Sequence, residues 1–208
     1  VLEARRIEPR IAFPDGESET ILRASAILVD EGIGTPILIG ERERIERNAE
    51  RLGLQLAGVE IVDPATDARL DTYADELFRL RQRRGLIRDM AVMRARDPLH
   101  FGALMLCQGD ADLMLGGLTT PYPESLRTVL EVIGPAEGVR RIAGMFMVLR
   151  RKEVYFLADC AVNTDPDAET LAEIALLSAT AVRSLGIEPR VAMLAFSNLG
   201  SVDHPLAH

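Results

Sequence analysis

Short aliphatic runs alternate with longer segments of helical period along most of this chain, and small polar turns separate them. Residues 10–13 (RIAF) read as a strand stopped by Pro14-Asp15-Gly16. Ser18 follows as an N-cap, residues 19–31 place Ile21, Ala24, Ser25 and Leu28 on one helical face, and Gly32 stops the helix. A second strand (36–39, PILI) leads to a charged helix over 41–52 closed by Gly53, and a third strand (59–62, VEIV) ends at Asp63-Pro64. Helical stretches at 69–83, 87–96 and 99–108 precede a short strand at 113–115, which runs into Gly116-Gly117 and a helix over 123–132. Strands separated by helices pair in parallel through crossovers, so the pattern predicts an α/β fold with a helix-covered sheet. Hydrophobic residues make up 48% of the chain, but aromatic residues only 4% with no Trp, so the core is aliphatic, as buried parallel sheets prefer.

The register changes after Gly134. Segments 141–149 and 154–157 read as neighbouring strands around a charged turn at 150–153. A long helix over 168–185 stops at Gly186, and residues 190–196 (RVAMLAF) read as a buried strand entering Ser197-Asn198-Leu199-Gly200-Ser201. The expected division is a first α/β subdomain over residues 1–137 and a second over 138–208. No covering helix follows the last strand, so the second subdomain is expected to be truncated or to depend on other polypeptide.

The net charge of −8 is spread over mixed-sign segments without blocks, which suits a solvated surface. No basic stripe with interleaved aromatics points to nucleic acid. No apolar run is long enough for a membrane span and no signal peptide opens the chain. Cys107 and Cys160 have neither disulfide-framework nor metal-site spacing, which with the rest points to the cytoplasm.

In open α/β sheets, ligands gather beyond the carboxyl ends of strands, where backbone N–H groups and helix N-termini favour anions. Loops 14–18, 116–123, 159–166 and 197–201 fit that description. Arg81 and Arg127 are the candidate cations, because the planar guanidinium suits phosphate. Asp159 follows the apolar run 155–158 at a strand end, where a carboxylate must be partnered or face a cleft. His100, His204 and His208 are scattered without metal-ligand spacing, there is no P-loop and no GxGxxG, and Ser197 and Ser201 lack an evident histidine base. The residues alone therefore describe an anion-binding α/β domain with no assignable catalytic or metal-binding residue.

The motifs RIAFPDGES (10–18), PILIG (36–40), FGALMLCQGDADLMLGG (101–117), FLADCAVNTDPDAETLAEIALL (156–177) and GIEPRVAMLAFSNLGS (186–201) resemble the phosphate acetyl/butyryl transferase family across essentially the whole chain. The resemblance implies a phosphotransacetylase-like α/β/α sandwich, related to the isocitrate/isopropylmalate dehydrogenase folds, with two subdomains and a substrate cleft between them. It also implies homo-oligomers, and transfer of acetyl between CoA and phosphate. Arg81, in LRQRRG (80–85), and Arg127, in PYPESLR (121–127), match family arginines associated with binding phosphate and CoA. Ser197 keeps the single hydroxyl of a family LSYST-like segment, here LAFSN, and Asn198, Gly200 and Ser201 complete the candidate loop.

The departures are informative. PYPESLR stands where active transferases carry small hydroxyls, and the family's C-terminal Ser-Arg-Gly motif and following aspartate have no counterpart in these residues. With EVIG (131–134) and FSNLGS (196–201), the chain resembles the transferase-like domains fused to bacterial NADP-dependent malic enzymes. That resemblance implies a partner malic enzyme catalytic domain, no cofactor in this chain itself, acetyl-CoA as a regulatory ligand, and little or no transferase activity. The alternative implied by the broader family is a phosphate acetyltransferase fragment acting on acetyl-CoA, acetyl phosphate and phosphate.

Overall fold

The computed structural model describes residues 4–195 together with Ser197 and Ser201. The chain divides into two compact units, Val1–Gly134 and Pro135–His208. The first begins with a short helix α1 (Ala4–Ile7) and carries four parallel strands: β1 (Arg10–Phe13), β2 (Thr35–Ile39), β3 (Glu60–Val62) and β4 (Leu113–Met114). Their order is β3-β2-β1-β4. The sheet grows one way from β1 through β2 and β3, then returns to add β4 on the other side of β1. The two directions meet between β1 and β4, the switch point at which open sheets leave a crevice beyond the strand ends.

Side-chain alternation along the strands explains the layers. Ile11, Phe13 and Leu38 pack with Leu22 of α2 (Glu19–Asp30) and with Ile45 and Ala49 of α3 (Arg42–Leu52). Ala12, Ile37, Ile39 and Val62 face the opposite layer, built from α4 (Leu70–Arg81), α5 (Arg88–Ala95), α6 (Pro98–Gln108) and α7 (Tyr122–Val132). The unit is an α/β/α sandwich. Fully burying one Ile or Leu contributes about 1.5–3 kcal/mol, so the two clusters dominate its stability.

Two glycines let helix and loop approach the sheet. A Cβ on Gly102 of α6 would lie 3.1 Å from both Ile39 Cδ1 and Met114 Sδ, and one on Gly16 would lie 2.8 Å from the Ile39 backbone. Asp97 caps α6 by accepting from the His100 N–H at 3.1 Å, with Pro98 in the first turn. Ser18 occupies the N-cap position of α2 without a side-chain cap bond; its N–H instead donates to the Asp15 carbonyl at 2.9 Å.

In the second unit β5 (Met145–Arg150) and β6 (Glu153–Ala158) form an antiparallel hairpin whose turn places Arg151 at φ +56°. Helix α8 (Ala168–Ser184) is capped by Asp167, which accepts from the Thr170 N–H at 2.8 Å. The strand expected to begin at 141 begins only at Met145. The N–H groups of Arg140 and Arg141 donate to Glu173, and that of Gly144 to Asp159, so side-chain acceptors replace a ladder there. The buried strand expected over 190–196 is a larger difference. Residues 190–195 adopt no strand, and Met193 and Leu194 are 61% and 87% exposed. An aliphatic run becomes a strand only where a neighbouring strand takes up its N–H and C=O groups, and none of the described strands pairs with it. Phe196 lies outside the described residues. No described helix is long and apolar enough to cross a membrane.

Candidate functional site

Arg81 and Arg127 line one cleft of about 540 Å³ within the first unit. Arg81 ends α4, and a 3-10 turn (Gln82–Arg84) closed by Gly85 at φ +88° leads to α5. Leu86, Met90 and Arg94 follow at four-residue spacing and form one wall. The facing wall is α7, whose helical phase aligns Glu124, Arg127, Thr128 and Glu131, while α6 adds His100. The lining thus presents four guanidinium groups against two carboxylates, with Leu86 and Met90 as apolar surface.

Glu131 organises the floor. Its side chain is 10% exposed and accepts a hydrogen bond from Arg94 Nη1. The same carboxylate lies 3.9 Å from Arg81 Nε and 3.7 Å from His100 Nε2. The other ring nitrogen of His100 contacts Asp97 Oδ1 at 2.8 Å, while Nε2 is buried without a hydrogen-bond partner. Burial pushes the Asp97 carboxyl up, but the bonds from His100 outweigh it and hold the group below its ordinary value. Arg127 and Arg84 are exposed and have no carboxylate partner among the described residues, so their donors are available. The cleft is a cationic pocket with an apolar wall, a surface able to hold a phosphate attached to an organic group.

Of these residues, only Arg81 and Arg127 were singled out from the sequence. Arg84, Arg94, His100, Glu124 and Glu131 were missed. Helical phase carries part of that signal, since 127/131 and 90/94 are i,i+4 pairs. Which helices face each other is a tertiary fact.

The loop at the switch point differs from expectation. The sequence predicts an anion-binding turn over Gly116–Pro123, yet three of its N–H groups already hold a carboxylate. Asp15, nearly buried, accepts from Gly117 N–H (3.1 Å), Leu118 N–H (3.1 Å) and Thr119 N–H (3.0 Å), and from the Thr119 hydroxyl. A smaller hollow of about 360 Å³ remains beside it, lined by Asp15, Ser18, Ile39, Pro98 and Thr119 among others.

In the second unit Asp159 closes the turn after β6. Burial pushes its carboxyl up, but N–H bonds from Ala161, Asn163 and Gly144 and the Asn163 amide outweigh this and hold it well below the usual carboxylate range. Ser197 is half-buried and Ser201 exposed. Asn198 and Gly200 lie outside the described residues. Among the described residues no group of three or more His, Cys, Asp or Glu side chains could hold a metal ion.

The family model for phosphate acetyl/butaryl transferases matches residues 1–208. The chain belongs to this family. It is 42% identical over 208 residues to an NADP-dependent malic enzyme of Escherichia coli (strain K12), covering 98% of this chain and 27% of that protein. A phosphate acetyltransferase from the same organism is 38% identical over 195 residues, covering 93% of this chain and again 27% of the relative. The chain therefore spans about a quarter of the length of these two relatives. A phosphotransacetylase from Streptococcus pyogenes superposes with a TM-score of 0.86 at 33% identity, over 95% of this chain and 60% of that one. The α/β fold is thus that of the phosphotransacetylases.

Proposed function

We propose that this chain is the transferase-like regulatory part of an NADP-dependent malic enzyme, that it binds acetyl-CoA in the arginine cleft, and that it transfers no acetyl group. The observation carrying this reading is that Arg81 and Arg127, from separate helices, line one cationic cleft with an apolar wall. Such a pocket suits a ligand with several phosphates and an organic body. The 42% identity to a malic enzyme supports the choice of parent protein. The segment Pro121–Arg127 supports the lack of transfer: Pro121 caps α7, Tyr122 is half-exposed, and the nearby hydroxyls of Thr119 and Ser125 bond to Asp15 and to the Thr120 carbonyl. Regulation would work by differential affinity, with acetyl-CoA favouring one arrangement of a cytoplasmic homo-oligomer and so shifting the catalytic domain's population.

A second reading, a phosphate acetyltransferase, is favoured by the 38% identity to such an enzyme. There the cleft would hold acetyl-CoA while phosphate attacks the thioester carbonyl, helped by positioning and electrostatic stabilisation. Acetyl phosphate formation from acetyl-CoA and phosphate, measured beside calorimetric binding of acetyl-CoA, separates the two. Binding without turnover is the expected result. Turnover at ordinary enzyme rates would make the protein a transferase, and absence of binding would remove both readings.

A further inference from the structure

We infer that Glu131 is a positioning residue of this cleft, fixing Arg94 and Arg81 beside Arg127 before any ligand arrives; the inference rests on the reading of the cleft as an acetyl-CoA site. A nearly buried carboxylate in the wall of an anion site is unfavourable by simple Coulomb reasoning, since it repels the ligand. Its contacts explain its presence. Glu131 accepts a hydrogen bond from Arg94 of α5, lies 3.9 Å from Arg81 Nε of α4, and sits one helical turn after Arg127 on α7. One carboxylate therefore ties guanidinium groups from two helices to the helix carrying the third. Arginine loses much rotamer freedom when a ligand orders it, and a side chain already held does not bring that cost to binding. Glu131 is also only 3.7 Å from His100 Nε2, the buried ring nitrogen with no hydrogen-bond partner, so α6 closes the floor around the same carboxylate. Arg127, with no carboxylate partner among the described residues, is left to meet the ligand directly.

The two accounts of Glu131 predict opposite signs. As a mere negative charge, its removal by Glu131→Gln would tighten acetyl-CoA binding. As a positioning residue, its removal loosens Arg94 and Arg81 and weakens binding by about tenfold or more, with circular dichroism unchanged. Glu131→Asp, which keeps the carboxylate on a shorter stem, recovers part of the loss. Calorimetry with acetyl-CoA reads both, and unchanged or tighter binding in Glu131→Gln overturns the inference. Should Glu131→Gln fail to fold, Glu131→Asp carries the test alone, because it keeps the charge and changes only the reach: weaker binding is expected, and wild-type or tighter affinity overturns the role. Arg127→Ala keeps this distinct from the underlying reading. Wild-type affinity in Arg127→Ala removes the acetyl-CoA site itself. A loss there with none in Glu131→Gln removes only the positioning role.

Discussion

Asp159 holds five hydrogen bonds on two carboxylate oxygens: the N–H groups of Gly144, Ala161, Val162 and Asn163, and the Asn163 amide. All of them favour the ionised form, and its folded value falls well below the usual range. A group depressed in this way contributes stability above its unfolded value, near 3.9, and that contribution is lost as pH falls through the folded value. Thermal melts of Asp159→Asn should lie below wild type at neutral pH, and the gap should narrow as pH drops below about 4. A gap that does not change with pH would remove ionisation from the account. Arg127 belongs to the same scale. Its guanidinium has no carboxylate partner among the described residues, and a charge-assisted hydrogen bond is worth about 1.5–3 kcal/mol. Arg127→Ala should therefore weaken acetyl-CoA about tenfold or more by calorimetry, while unchanged affinity would return it to the role of a solvated helix residue.

Between elements, Asp15 joins the loop after β1 to the loop leading from β4 into α7. Its carboxylate takes up three consecutive backbone N–H groups, those of Gly117, Leu118 and Thr119. Asp15→Ala would leave partly buried donors unsatisfied, at about 1–3 kcal/mol. Urea denaturation should show a lower midpoint with an unchanged slope, since the exposed surface on unfolding is the same. Because the loop feeds directly into α7, acetyl-CoA affinity should fall as well. A stable variant with normal affinity would mean that water replaces the carboxylate without cost.

At the scale of the whole molecule, both large core clusters lie in the first unit, and among the described residues they include none beyond Val132. Among the described residues the second unit buries Ile174, Ala179 and Val182, while Phe146, Met147, Leu149 and Val154 of its hairpin are exposed. A 1–134 polypeptide is expected to unfold cooperatively and to keep the arginine cleft, read by circular dichroism and calorimetry. A 135–208 polypeptide is expected to bind a hydrophobic dye and self-associate. A monomeric, dye-silent 135–208 fragment would contradict this account.

The α/β class, the parallel strands β1 to β3 and most helices were legible in the sequence because local signals agree there: aliphatic runs, stop residues and helical period point the same way. The sequence offers Arg81 and Arg127 as candidates, whereas their meeting in one cleft depends on α4 packing near α7. Glu131 and His100 could not be read as site residues, since an isolated glutamate or histidine on a helix carries no signal until its neighbours are placed. The run at 190–195 shows the converse limit. Its composition suits a strand, but a strand requires a partner for its backbone, and pairing is decided only by the tertiary structure. Asp15 is the same case for loops: the sequence identifies a turn rich in N–H groups, and only the folded chain brings a carboxylate from the loop after β1 to occupy them.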